Sequence, residues 1–165
     1  MLIWYAASAV VITFVVFRTP TIDYRLVALG AVIPVIEAPL GSGPMHALII
    51  PTLVLAVIMA LTRRRRLLRR QWLGLPIGMY LHLVVDAVAN VPEVFWWPFL
   101  GWSFGSAEAP EVGRGWWSAV LEGIGAVLAI WAYRRFGLDD ARRREVFMRT
   151  GQLDRSIVGH EASGC

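Results

Sequence analysis

The sequence predicts an all-α fold, a polytopic transmembrane bundle of about five helices, and three observations lead to that prediction. Mean hydropathy is +0.58 and 57% of the 165 residues are hydrophobic, above the roughly 45–50% apolar content of soluble domains. Five apolar stretches approach the length of about 17 to 20 residues that crosses a bilayer as a helix. All sixteen basic residues are arginines, and most of them lie between or after these stretches.

Polar, proline-containing or arginine-rich segments separate the five stretches. Asp23 stands directly before the second stretch, where an aspartate is a favoured helix N-cap. The second stretch is the least regular, because it carries Arg25, Pro34 and Glu37. The sequence therefore predicts helices over residues 1–17, 24–40, 45–61, 72–90 and 115–133.

The arginines predict an orientation. If successive helices alternate in direction, fifteen of the sixteen fall on one side and only Arg114 on the other. The positive-inside rule then predicts a multi-pass protein of the inner (plasma) membrane, with its N-terminus outside and its C-terminus cytoplasmic. The run from Arg63 to Arg70 is interpreted as a topology signal, because a short loop between apolar helices is poorly shaped to follow a nucleic-acid backbone. Membrane lipid is the expected partner, and nucleic acid is not.

Two regions are predicted, a transmembrane helical domain over 1–136 and a cytoplasmic segment over 137–165. In the second, Asp139 and Asp140 precede a basic helix that a disordered polar end follows. Between the fourth and fifth helices lies a Trp-rich outer loop, which reads either as an interfacial aromatic belt or as a lid over a site. The single cysteine, Cys165, excludes an intramolecular disulfide and a cysteine-based zinc site.

A small and polar stripe runs along the predicted fourth helix. Its members recur every four residues and so share one face of a helix: Gly74, Gly78, His82, Asp86 and Asn90. Such a face is expected to contact protein, with the glycines permitting close approach of a neighbouring helix. Ionisable groups in an apolar helix need a partner, so His82 and Asp86 are the candidate functional residues.

The predicted helix directions bring further ionisable side chains to the level of Asp86. Glu37 closes the second helix, His46 opens the third, and Glu122 lies in the fifth. Imidazole and carboxylate ligands suit a divalent metal, with Zn²⁺ first and Mn²⁺ or Fe²⁺ as alternatives. The candidate metal ligands are Glu37, His46, His82 and Asp86, and Glu122 is either a further ligand or a partner of His82. Glu122 and Glu93 are also the candidate catalytic bases, and Glu93 could be a ligand instead. An interhelical hydrogen bond from His82 to Asp86 or Glu122 is the alternative reading, and Glu93 also reads as an exposed loop carboxylate.

Several segments resemble the membrane-bound metal-dependent hydrolases of the YdjM-like kind over roughly residues 1 to 135. The segments are those around Asp23, Glu37 and His46, then His82-Leu-Val-Val-Asp86, then Trp97-Pro-Phe-Leu-Gly-Trp. The resemblance implies that His46, His82 and Asp86 match presumed metal ligands and that Glu37 replaces a second aspartate of the first segment.

Two positions depart from that family's pattern. Val35 stands where relatives carry an aspartate, and Tyr5 where many carry an early histidine. Loss of two potential ligands could reduce a two-metal site to one metal or leave a scaffold that no longer catalyses, and both alternatives stay open.

The function expected from the sequence is metal-dependent hydrolysis of an amphipathic or lipid-like ester or phosphoester at the outer ends of the helices. The alternative is a non-catalytic membrane protein whose polar stripe serves helix packing or partner binding. An ion pathway is disfavoured, because the ionisable residues gather at one end instead of crossing the bilayer.

Overall fold

A computed structural model describes residues 1–40, 43–102 and 115–159, and this part of the chain is helical and contains no strand. Short 3₁₀ segments cover Ile33–Leu40, Pro44–His46 and Val88–Asn90. The α-helices, numbered in chain order, are α1 Leu2–Phe17, α2 Tyr24–Val32, α3 Ile49–Leu61, α4 Arg66–Trp72, α5 Gly74–Val85, α6 Pro92–Phe95, α7 Trp117–Arg135, α8 Ala141–Thr150 and α9 Arg155–Gly159.

Local chemistry sets several of these boundaries. The side chain of Asp23 accepts hydrogen bonds from the amides of Arg25 at 3.0 Å and Leu26 at 3.4 Å, which confirms it as the N-cap of α2. Asp140 accepts from the amide of Arg143 at 2.9 Å and caps α8 in the same way. That hydrogen bond, with the charges of the neighbouring arginines, lowers the pKa of Asp140.

The prediction of a multi-pass membrane bundle is wrong. Among the residues described, none of the helices combines the length and the apolar character needed to cross a bilayer. The helices α1, α2, α3 and α5 have 16, 9, 13 and 12 residues, short of the roughly 20 that a bilayer core requires. Helix α7 has 19 residues but contains Glu122, Arg134 and Arg135. The predicted spans, orientation and inner-membrane localisation are withdrawn with it.

The predicted stretches were too long because apolar composition does not reveal where a helix ends. Pro34 has no N–H to donate, and the chain passes from α2 into a 3₁₀ segment at Ile33. Ala87 adopts the left-handed conformation with φ 57°, so α5 ends at Val85 instead of reaching residue 90. At each of these two positions the α-helix ends inside a continuous apolar stretch, and the hydropathy of the stretch does not reveal it.

Close backbone contact joins α2 to α5. A Cβ added to Gly78 would lie 2.8 Å from the amide nitrogen of Ala31 and would collide with the carbonyl oxygen of Val27. A Cβ on Gly74 would lie 2.6 Å from the carbonyl oxygen of Asp23. The glycine half of the predicted stripe therefore faces protein, as expected, and brings the polar half of α5 against the end of α2.

The main core lies among α1, α2, α7 and the segments that follow α7. Phe14, Tyr24 and Phe136 form an aromatic centre, with the Phe136 ring 5.1 Å from Phe14 and 5.6 Å from Tyr24. Burial raises the pKa of Tyr24. Leu153 and Ile157 belong to the same buried cluster, so residues beyond Gly137 pack on the preceding helices.

Parts of several predictions fall outside the described residues. They are Arg114, the second half of the Trp-rich loop over 103–114, and the polar end over 160–165. Of the loop's tryptophans, Trp102 is 82% exposed.

Candidate metal centre

His82 and Asp86 occupy the last turn and the C-cap of α5. The amide of Asp86 donates to the carbonyl of His82 at 2.8 Å, as in a continuing helix, so the two side chains share one face. His82 is 0% and Asp86 1% exposed. The imidazole and the carboxylate of the stripe are thus buried, whereas Asn90, its last member, lies beyond the end of α5 and is exposed.

The orientation of His82 follows from its contact with α2. Its Nδ1 lies 2.8 Å from the carbonyl oxygen of Ala31. A carbonyl only accepts hydrogen bonds, so Nδ1 carries the proton and Nε2 keeps its lone pair. Pro34, three residues beyond Ala31, has no N–H to compete for that carbonyl. The end of α2 therefore fixes His82 in the tautomer that binds metals through Nε2.

His46 reaches the same point from the 3₁₀ turn Pro44–His46 and is 0% exposed. Its Nδ1 lies 3.4 Å from Oε2 of Glu37, which also accepts from the amide of Met45 at 2.9 Å. A carboxylate at this nitrogen favours a proton there and leaves Nε2 as the ligand atom. Glu37 therefore lies behind His46, in the position from which a carboxylate orients a metal-binding imidazole.

The two Nε2 atoms lie 3.4 Å apart. Two nitrogens bound at about 2.0–2.1 Å to one tetrahedral zinc ion are separated by about 3.3–3.4 Å. Ligand atoms of His46, His82 and Asp86 all lie within 4.8 Å of one another. These three buried residues could together hold a metal ion, and the identity of the metal stays a prediction.

Tyr5 of α1 completes the described surroundings and is 1% exposed. Its hydroxyl donates a hydrogen bond to Oδ1 of Asp86, and its ring centroid lies 4.3 Å from that of His82. From the sequence, Tyr5 was identified only as a departure from the pattern that the resemblance implies. The structure shows the same position in direct contact with two residues of the cluster.

The two candidate bases lie elsewhere. Glu122 of α7 accepts from the amides of Ile3 at 3.2 Å and Trp4 at 3.1 Å, so it binds the first turn of α1 as a cap supplied by another helix. Glu93 is exposed in the first turn of α6. The structure thus brings together three of the four predicted metal ligands, with Glu37 behind one of them.

Comparisons with models of protein families, with curated proteins and with solved structures each find no match. The resemblance to YdjM-like hydrolases therefore stays a prediction, and the geometry of the cluster carries the functional argument.

Proposed function

We propose that the chain binds one Zn²⁺ ion through His46, His82 and Asp86 and uses it to hydrolyse an ester or phosphoester, in keeping with the hydrolase resemblance. The observation that carries the proposal is the pair of Nε2 atoms 3.4 Å apart, each on a ring whose Nδ1 faces an oxygen acceptor. Two imidazoles and one carboxylate are a ligand set typical of catalytic zinc, which keeps a fourth position for water.

Each residue of the cluster has a definable part in this proposal. A zinc ion in such a site lowers the pKa of its bound water to about 7. Ala31 and Glu37 orient the imidazoles, and Tyr5 holds the carboxylate of Asp86. Mn²⁺ fits less well, because two of the three ligands are imidazoles, whereas Fe²⁺ stays an alternative, because two histidines and one carboxylate are also a ligand set of non-haem iron.

Burial favours a second candidate function. The three ligands are 0%, 0% and 1% exposed, and they connect α5 with the turn that precedes α3. Hydrogen bonds extend the connection to α1 through Tyr5 and to α2 through Ala31. A closed, non-catalytic metal centre that joins these elements, or that stabilises a partner-binding form of the chain, would have the same burial and the same contacts.

Metal content tests the shared part of both candidates. We expect near-stoichiometric zinc in the purified chain by elemental mass spectrometry, and its loss in His46→Ala, His82→Ala and Asp86→Ala. Glu93→Gln is the matched control, because it removes an exposed carboxylate outside the cluster. Wild-type protein that holds no zinc, manganese or iron after reloading would refute metal binding.

Activity separates the two candidates. We expect the zinc-loaded chain to hydrolyse p-nitrophenyl laurate or bis-p-nitrophenyl phosphate. This activity should disappear on chelation and return when zinc is added. Stoichiometric zinc without hydrolysis of either probe, together with a melting temperature that falls on chelation, would assign the site to the structural role.

A further inference from the structure

A second feature, which shares no lining residue with the metal cluster, is an open apolar groove among α3, the end of α4 and the start of α5. Its volume is about 570 Å³. Leu53, Val57 and Leu61 recur every four residues along one face of α3 and form one wall, with exposures of 52%, 54% and 79%. Trp72 and Leu75 form the opposite wall. Large apolar side chains in a continuous exposed row mark a binding surface more often than isolated ones do.

The groove offers almost no polar group to a ligand. Thr62 is the polar residue of its lining, and its hydroxyl donates to the carbonyl of Ile58 at 2.6 Å. From Ile50 to Leu61 the α3 wall extends about 16 Å at 1.5 Å per residue. An occupant must therefore present an elongated apolar segment, such as an alkyl chain of medium length.

One end of the groove is strongly basic. Thr62 and Trp72 both line it, and the segment between them carries six arginines: Arg63, Arg64, Arg65, Arg66, Arg69 and Arg70. Five of the six are exposed. Within residues 1–40, 43–102 and 115–159, none of these six arginines forms an ion pair with a carboxylate. The carboxylates that form ion pairs there do so with other basic residues. Since these arginines repel one another, an anion at this end of the groove lowers their electrostatic energy.

We propose that the groove binds a single-chain anionic amphiphile, with its alkyl chain along α3 and its phosphate or carboxylate head on Arg63 and Arg69. Arg63 directly follows Thr62, and Arg69 lies three residues before Trp72 and so on the same side of α4. Arginine suits such a head group because its planar guanidinium forms paired hydrogen bonds to carboxylate and phosphate oxygens. This inference does not depend on the metal centre.

Equilibrium dialysis with dodecyl phosphate, below its micelle concentration, tests the proposal on the full chain. We expect one molecule bound per chain and an affinity that falls as salt rises. Arg63→Gln/Arg69→Gln should weaken binding by about tenfold or more, because charge-assisted hydrogen bonds are the stronger class. Arg142→Gln/Arg144→Gln removes the same net charge from exposed positions of α8 and should change affinity by less than about twofold.

A second arm tests the apolar wall. Val57→Trp should reduce binding of both dodecyl phosphate and uncharged dodecyl maltoside, because it fills the groove that both alkyl chains would use. An equal loss of affinity for dodecyl phosphate in the two double-arginine variants would overturn the proposal. Binding of dodecyl maltoside as tight as that of dodecyl phosphate would also overturn it. A concentration-dependent dimer that Val57→Arg abolishes would instead assign the groove to a second copy of the chain and would also overturn it.

Discussion

Replacing Gly78 by alanine tests the contact that positions the candidate metal centre. A Cβ at this position would lie 2.8 Å from the backbone nitrogen of Ala31, where ordinary contacts begin at 3.4 Å. The obstacle is backbone on a packed helix, so no side-chain rotation relieves it. Helix α2 must retreat by more than about 0.6 Å, because the carbonyl oxygen of Val27 lies closer still, and overpacking of this kind typically costs about 1–3 kcal/mol.

One further term enters the magnitude. Alanine is favoured over glycine in a helix by about 1 kcal/mol, which offsets part of the collision. Gly123→Ala isolates that term, because Gly123 is exposed in α7 and an added Cβ there would have nothing within 4 Å. We expect Gly123→Ala to stabilise the chain slightly and Gly78→Ala to be less stable than it by about 1–3 kcal/mol, because the propensity term is common to both variants.

Urea unfolding of the two variants beside wild type measures this difference. A second readout is zinc affinity, because retreat of α2 also moves the carbonyl of Ala31 away from His82. Loss of such an orienting contact lowers metal affinity by about 10- to 100-fold. Equal stability of Gly78→Ala and Gly123→Ala would show that the two helices do not approach as closely as described, and the account of how His82 is oriented would fail.

Three other predictions follow from single side chains. Glu37→Gln should lower zinc affinity by about 10- to 100-fold without abolishing binding, because the carboxylate orients His46; isothermal titration measures this, and unchanged affinity would contradict it. Asp23→Ala should cost about 1–2 kcal/mol in urea unfolding, because it removes the cap of α2, whereas Asp23→Asn should retain most of the stability. The pKa of Asp140 is lower in the folded chain than in the unfolded chain. The stability that its capping hydrogen bond contributes is therefore present above the unfolded pKa of about 3.9 and is lost as pH falls through the folded pKa. The Arg143 amide signal in NMR should therefore titrate with a midpoint below about 3.9 in wild type and not at all in Asp140→Asn, and a midpoint at or above that value would contradict the pKa direction.

Sequence patterns predicted the features that depend on local spacing. The four-residue recurrence from Gly74 to Asp86 predicted both a close helix contact and a buried polar pair, and both are observed. Asp23 and Asp140 were identified as caps from their places before helical segments. The convergence of His46 with His82 followed from helix direction alone. Such features depend on periodicity and chain direction, which remain valid when helix lengths are wrong.

Features that depend on tertiary contacts were missed. Helix lengths were overestimated, because hydropathy does not register the 3₁₀ segment at Ile33 or the left-handed residue Ala87. The part played by Glu122 was not foreseen, since its partners are amides of α1 more than one hundred residues away. The one signal for the place of Tyr5 was the predicted resemblance to YdjM-like proteins, for which the comparisons find no match.

The electrostatic surroundings of Asp86 give a last argument for a cation in this cluster. Asp86 is buried at the C-terminal end of α5, where the helix dipole is negative, so both burial and the dipole oppose its charge. A divalent cation held by Asp86 offsets both terms. Asp86→Asn keeps an oxygen that can accept the Tyr5 hydrogen bond but removes the charge.

We therefore expect Asp86→Asn to have opposite effects with and without metal. Chelated Asp86→Asn should be at least as stable to urea as chelated wild type, because the unfavourable buried charge is gone. In saturating zinc it should be less stable than wild type, because a ligand is lost and metal binding adds less to the free energy of unfolding. A variant that is destabilised equally in both conditions would mean that Asp86 serves hydrogen bonding alone, and the cluster would then be a polar lock between helices.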